Sequence, residues 1–351
     1  MNRRLPVVAL ALCAAVSLAK PVSGQVLLYS LFERYIDSLR QQTGIPGMSA
    51  ALVKDGQVVW DRGFGQQDVE RSILAAPDTP YPVGGLTQTV AAVLLGACAE
   101  SGRLDIDDRV SLWVPDFPSE DASVRRVLAH ASNTPVAFRY DESRFSALTS
   151  VAQACDDEDI RVAMADAVLE RLGMAASVPG QDLGDPGSAA RELFDSGRVN
   201  RYADVLARLA VPYRVDRDGR ASRSDYGARG LSAADGLIST VRDLARFDAA
   251  LDDAVLLRSE SLSVAWTPAN FTGTPLPTGL GWFVQNYQGE RLVWHFSHIP
   301  GAYSGLILKM PSRRLTLIML ANSDGLSAGA SLEQGDVTAS PFVKIFLRLF
   351  A

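Results

Sequence analysis

Apolar positions beyond residue 24 first recur at helical spacing. Leu27, Leu28, Leu31, Tyr35, Ile36 and Leu39 follow that period until Thr43-Gly44-Ile45-Pro46-Gly47 breaks it, which predicts an amphipathic opening helix. The rhythm then changes to β-rich runs at 48–54 and 57–63, joined by Asp55-Gly56, a dipeptide favoured in tight hairpins. A sheet starts there. Small and apolar residues dominate 85–102, including Val90-Ala91-Ala92-Val93-Leu94-Leu95, and predict a helix. From there to about residue 231 the chain reads as helical segments and loops with little strand signal. One of these helices is expected to begin at Asp156-Asp157-Glu158-Asp159, where carboxylates in a first turn favour the helix dipole; the spacing and glycine of a calcium loop are absent. Strand patterning returns at 280–285, 291–296, 303–310 and 314–321, and a short amphipathic helix closes the chain at 341–349. Strands at both ends with helices between predict a mixed α/β (α+β) fold, its sheet assembled from the two ends around an inserted helical region.

Length and composition fit that picture. With 351 residues, 47% of them hydrophobic, the chain can bury a large core as one elaborate domain or two joined ones. A net charge of −6 argues against nucleic acid as a partner, because phosphate binding needs a basic surface. Arg3 and Arg4, an apolar run over 5–18, and small residues suited to cleavage after Ala19 or Gly24 read as a secretory signal over residues 1–24. Export to the periplasm or beyond the cell is therefore expected. A lipid anchor on Cys13 fits poorly, because Leu12 is bulky where such signals use a small residue. The longest later apolar run, 315–321, falls far short of the ~20 residues that span a bilayer, so no span is expected once the signal is removed. Export would permit a disulfide between Cys98 and Cys155. The simpler expectation leaves them unpaired, Cys98 being a small buried side chain on the apolar helix.

The apolar helix is preceded by Tyr81-Pro82-Val83-Gly84-Gly85-Leu86-Thr87-Gln88-Thr89. Downstream come Gly102-Arg103-Leu104-Asp105-Ile106-Asp107-Asp108 and Val127-Leu128-Ala129-His130-Ala131-Ser132-Asn133. Leu172-Gly173-Met174, Ala234-Asp235-Gly236-Leu237-Ile238-Ser239-Thr240 and Gly279-Leu280-Gly281-Trp282 follow. In this order the segments resemble the serine β-lactamase-like hydrolases, the class C β-lactamase and penicillin-binding-protein-like family. The resemblance covers nearly all of residues 25–351. It implies an antiparallel sheet flanked by helices, with sheet parts at about 25–80 and 232–351, a helical part at about 81–231, and an active site between them. Asn133, where the family has glycine, suits a left-handed backbone. Members of the family are β-lactamases, D-alanyl-D-alanine peptidases and esterases.

For the site, the resemblance implies loss. The family's first element reads roughly aromatic-x-Ile-Gly-Ser-x-Thr-Lys-Thr; here Gly85 stands at the serine and Gln88 at the lysine. A serine hydroxyl is a weak nucleophile until a base takes its proton; glycine offers no hydroxyl and an amide is no base. The second element, Tyr-x-Asn, becomes Tyr140-Asp141-Glu142, and the third, Lys- or His-Thr-Gly, becomes His295-Phe296-Ser297. Tyr140 and His295 survive, and neither is a nucleophile in that mechanism.

Nothing else in the chain replaces the missing pair. The only lysines are Lys20, Lys54, Lys309 and Lys344, and only Lys20 follows a serine by three residues, inside the signal. Thr87 and Thr89 point about 200° and about 40° away from Gly85 around a helix and have no evident base. Gly325-Leu326-Ser327-Ala328-Gly329 has the form of a nucleophile elbow, but that fold places its histidine after the serine and the last histidine here is His298. His295 and His298, with only His130 besides, make a poor metal set, so neither metal nor cofactor is expected. Exchanging Lys for Gln at 88 and Asn for Glu at 142 turns the cleft toward negative charge. Two unit charges ~4 Å apart interact by roughly 4 kcal/mol at an effective dielectric of 20. Carboxylate substrates would be repelled, leaving a small neutral or cationic ligand, a cell-wall fragment or a protein as the expected partner. The leading expectation is an exported, catalytically inactive relative that binds at the old cleft. The alternatives are a hydrolase in which Glu142 or His295 activates water with help from Tyr140, and a structural envelope module.

Overall fold

The computed structural model describes residues 24–119, 121–132, 135–227 and 229–351. The signal expected over 1–24 lies, but for Gly24, outside the described residues, as does Asn133 with its expected left-handed backbone.

The chain opens with helix α1 (Gly24–Gln42), followed by strands β1 (Gly47–Lys54), β2 (Gln57–Asp68), β3 (Ile73–Leu74) and β4 (Tyr81–Pro82). A short 3₁₀ turn at Gly84–Leu86 leads into α2 (Thr87–Glu100); α3 (Val124–Leu128), α4 (Glu142–Ser146), α5 (Leu148–Asp156) and α6 (Ile160–Met164) follow. Next come β5 (Val178–Pro179), α7 (Ser196–Leu206), the hairpin β6 (Tyr213–Val215) and β7 (Ala221–Arg223), and β8 (Leu237–Ser239). The chain ends with α8 (Val241–Asp252), α9 (Ser259–Ala265), β9 (Phe283–Tyr287), β10 (Glu290–Ile299), β11 (Tyr303–Met310), β12 (Leu315–Ala321) and α10 (Pro341–Phe350).

Seven strands form one antiparallel sheet in the order β3-β2-β1-β12-β11-β10-β9, so β1 and β12 join the two ends of the chain, with Ala50 opposite Met319. Alternate side chains of β12 face opposite layers. Leu317, Met319 and Ala321 pack with Phe32 and Ile36 of α1 and Phe342 and Phe346 of α10, whereas Ile318 and Leu320 pack with Val90 and Ala91 of α2 and Leu244 and Phe247 of α8. With both faces covered, β12 is buried throughout and reads as a continuous apolar run. The β1–β2 hairpin turns on Asp55 at φ 52° and Gly56 at φ 74°, as the Asp-Gly signal requires.

Several local expectations are corrected. The helical face of α1 rests on Phe32 and Ile36, while Leu27 and Tyr35 are exposed, because the helix needs only a narrow stripe to cover one edge of the sheet. The acidic run does not fill a first helical turn but links two helices: Asp156 ends α5, Asp157 takes a left-handed φ of 55°, and only Asp159 starts a helix, capping α6 by accepting from Arg161 N. Short strands β5, β6 and β7 lie within the stretch that showed little strand signal. They are two or three residues long, too short for a period to register. Cys98 and Cys155 are not free thiols; they form a disulfide that ties α2 to α5. The folded helices bring the two to a Cα–Cα distance of 6.1 Å, which spacing along the chain cannot reveal.

Candidate functional site

The 3₁₀ turn Gly84–Leu86 and the first turn of α2 are fully buried and lie beneath β10 and β11. Gly84 adopts a left-handed φ of 49°, and a Cβ there would fall 2.2 Å from Ser297 Oγ, so glycine is required. Gly85 has no such φ, yet its surroundings are also close. A Cβ at 85 would lie 2.8 Å from the carbonyl oxygen of Phe296 and 2.9 Å from Tyr140 Oη. The space in which a side chain at position 85 would stand is occupied by a strand carbonyl and a phenol.

Gln88, wholly buried, joins two partners through its amide. His130 Nε2 lies 2.9 Å from Gln88 Oε1, and Gln88 Nε2 donates to Tyr140 Oη over 3.0 Å. Tyr140 Oη donates to Glu142 Oε1 at 3.0 Å, and the N–H of Asp141 donates to His130 Nδ1 at 3.2 Å. Because Nδ1 accepts, the proton of the neutral imidazole sits on Nε2, which donates to the amide oxygen. The chain His130 → Gln88 → Tyr140 → Glu142 therefore runs in one direction, and each donor along it is used. A lysine at 88 could not accept from His130.

Local geometry supports this arrangement. His130 takes a left-handed φ of 49° and its ring lies 4.6 Å from that of Tyr140 and 5.2 Å from that of Phe145. Glu142 opens α4, whose cap Asp141 accepts from Arg144 N. Phe296 packs 5.1 Å from the Tyr140 ring.

Protonation at the site is set mainly by burial. Desolvation pushes Tyr140 well above its usual pKa, with the nearby Glu142 carboxylate adding to the shift, so the phenol keeps its proton and serves no base function. His130 is held well below its usual value, by burial first and then by His295 and Arg144. His295 on β10 is buried and pushed down to about 4 by desolvation, so it is neutral near pH 7. Its Nδ1 lies 2.9 Å from both N and O of Phe296, and its Nε2 has no partner among the described residues. Glu142 is an exposed residue whose carboxyl end turns inward. Desolvation of that end raises its pKa against the Tyr140 hydrogen bond; Asp235 acts in the same sense and Arg229 opposes it.

The remaining candidates are drawn off elsewhere. Thr89 donates to Leu86 O at 2.8 Å and Thr87 Oγ1 accepts from Leu237 N at 3.3 Å, both hydroxyls being buried. Ser327 is buried and donates to Ser297 O over 2.8 Å, which removes the elbow reading. His298 lies on the opposite face of β10 from His295 and Ser297. Among the described residues no group of three or more His, Cys, Asp or Glu is placed to hold a metal ion. Lys309 is buried 2.8 Å from Asp252 and 3.0 Å from Asp248, engaged in the α8 layer. Lys54 donates to Arg313 O, and Lys344 sits on α10 across the sheet.

Two features escaped the sequence reading. The sequence singles out His130 only as a metal ligand, although its place two residues before Ser132 in the matched segment is the available signal. The rim beside Glu142 includes Asp235, paired with Arg229 at 3.5 Å, and Tyr226, whose ring carries the Arg229 guanidinium at 5.1 Å. Nothing short of the fold brings residues 226–235 to Glu142.

The Beta-lactamase family model matches residues 32–335 of the chain. Protein flp of Staphylococcus aureus (strain NCTC 8325 / PS 47) is 32% identical over 109 residues, which make up 29% of this chain and 22% of that protein. The serine beta-lactamase-like protein LACTB, mitochondrial, of Bos taurus is 30% identical over 103 residues, 27% of this chain and 18% of that one. The match thus spans under a quarter of either relative's length. Among solved structures, a class C beta-lactamase superposes with a TM-score of 0.71 at 18% identity, over 94% of this chain and 99% of that one. The octameric penicillin-binding protein homologue from Pyrococcus abyssi gives 0.70 at 22% identity, over 85% and 74%. At these identities the structural likeness is one of fold.

Proposed function

We propose that this chain, which belongs to the β-lactamase family, is a catalytically inactive member whose former centre has become a packed, hydrogen-bonded structural unit. The observation that carries the reading is the occupancy of the Gly85 side-chain space by Phe296 O and Tyr140 Oη. The missing base points the same way, since both ends of the Gln88 amide are committed to His130 and Tyr140. Loss of nucleophile and base together costs on the order of a millionfold in rate in catalytic units of this kind. Any ligand meets the outer rim, where Arg229 is paired with Asp235 and leaves Glu142, among the described residues, as the acid without a basic partner, and this favours a neutral or cationic molecule, a cell-wall fragment or a protein over a carboxylate. Export accounts for both the signal-like start and the Cys98–Cys155 disulfide, a bond that persists in oxidising compartments. Among the described residues no helix is long and apolar enough to cross a membrane.

One observation favours a second reading. Glu142 combines exposure with a raised pKa and a hydrogen bond from Tyr140, as a carboxyl that moves protons would. The purified protein, offered nitrocefin, a p-nitrophenyl ester and a fluorescent penicillin, should neither turn over nor become labelled. Stoichiometric labelling would overturn the inactive reading. Turnover abolished by Glu142→Gln would establish the second one.

A further inference from the structure

Behind the old centre, on the second to fourth turns of α2, lies a cavity of about 470 Å³ between that helix, α9 and the segment before β9. Its walls include Val93 and Gly96 of α2, Leu262 of α9, and Trp282. Val93, Leu262 and Trp282 are buried in the native core, so these surfaces are firmly held. None of Gly85, Gln88, Tyr140, Glu142 or His295 lines it.

Charges at the rim are already matched. Arg125 donates to both carboxylate oxygens of Asp107, at 2.7 and 2.8 Å. Arg258 donates its backbone N–H to Glu100 Oε1 at 2.8 Å and its guanidinium to Glu100 O at 2.9 Å, with Nε 3.3 Å from Oε2. Each arginine is thus paired with one acid, and these four groups carry no net charge. The space is half open to solvent, and an apolar guest seated in it removes apolar wall surface from water. Its volume falls within the roughly 300–1,000 Å³ range of small-molecule sites.

We infer that this cavity is a binding site for an uncharged, largely apolar small molecule, seated between α2 and α9, with any hydrogen-bonding group turned to the rim where Ser261 lies beside Glu100. The site is independent of the inactive centre: penicillin labelling tests one and leaves the other untouched.

The test uses the uncharged fluorophore N-phenyl-1-naphthylamine with the mature chain and two variants that fill the space from opposite walls, Ala99→Phe and Ala265→Phe. Saturable enhancement is expected for the wild type. Affinity should fall about tenfold or more in either variant while its melting transition is retained, because the added ring would stand where an aromatic guest makes contact with that wall. An absence of saturable enhancement, or equal binding by folded variants, would overturn the assignment. Crystals soaked in 1-bromonaphthalene give a readout that needs no variant: anomalous bromine density between α2 and α9 supports the site, and density only elsewhere, or none, refutes it.

Discussion

Replacing Gly85 by alanine adds one methyl group where two oxygens already stand. The added Cβ would meet Phe296 O at 2.8 Å and Tyr140 Oη at 2.9 Å, whereas ordinary contacts begin near 3.4 Å, so each neighbour must yield by roughly 0.6 Å. Tyr140 can turn away, at the expense of its hydrogen bonds with Gln88 and Glu142, each worth about 1 kcal/mol net. The Phe296 carbonyl lies beyond the end of the β9 pairing, but its residue is held in register with Leu306 of β11, so the carbonyl cannot turn without disturbing that pairing. Overpacking of this type costs roughly 1–3 kcal/mol. A Gly→Ala change at a backbone angle alanine tolerates returns ~0.4–1 kcal/mol through the unfolded chain. The expected net effect is a destabilisation of about 1–2 kcal/mol, read as a lower urea midpoint at unchanged slope. A double-mutant cycle locates the cause. In a Tyr140→Phe background one of the two contacts is gone, so Gly85→Ala should cost less but still something, with a coupling of about 1 kcal/mol. A neutral or stabilising Gly85→Ala, or an identical cost in both backgrounds, would show that the nucleophile's space is open and would refute the packed-centre argument.

Three further outcomes follow from the same contacts. Gln88→Leu leaves His130 Nε2 without its acceptor and takes one donor from Tyr140 Oη, which still donates to Glu142, and should destabilise by about 1–3 kcal/mol, measured by urea unfolding, with no gain of nitrocefin turnover. His295 has a folded pKa of about 4 against an ordinary 6.5, so between these values the unfolded chain binds a proton that the native state refuses. Its contribution is present above pH 6.5 and lost as pH falls toward 4, amounting to about 3 kcal/mol, with His130 acting in the same direction; His295→Gln should flatten that part of a stability-versus-pH curve. Cys98→Ser with Cys155→Ser opens a loop of 57 residues, which the chain-entropy argument values at about 4 kcal/mol, and the variant should unfold at correspondingly lower urea while the wild type responds to reductant in the same sense.

Much of the architecture was legible in the order of residues because the forces concerned are local and periodic. The opening helix, the Asp55-Gly56 hairpin, the last three strands and the closing helix each carry a repeat that burial on a helix or sheet face imposes. Phase was less secure than type, as Leu27 and Tyr35 show: periodicity reports that an apolar stripe exists, and the partner surface decides which residues fill it. The two-residue strands β4 and β5 were silent, since their pairing with β8 comes from the fold around them.

For the site, the sequence by itself determined which groups positions 85 and 88 can offer. A glycine has no nucleophile and a glutamine no basic nitrogen wherever the chain puts them, and counting lysines disposes of any substitute nearby in sequence. Tertiary structure alone decided what stands in their place. Residues 85, 88, 130, 140, 142 and 296 come from a 3₁₀ turn, two helices, two loops and a strand, and only their convergence aims the His130 proton at Gln88, the Tyr140 proton at Glu142, and the Phe296 carbonyl into the space beside Gly85. The same convergence moved His295 from a candidate base to a buried neutral ring and brought Cys98 to Cys155. The division has one physical cause. Functional groups belong to individual residues and can be read one at a time, whereas desolvation, hydrogen-bond direction and steric occupancy are properties of neighbours that the chain supplies from far apart.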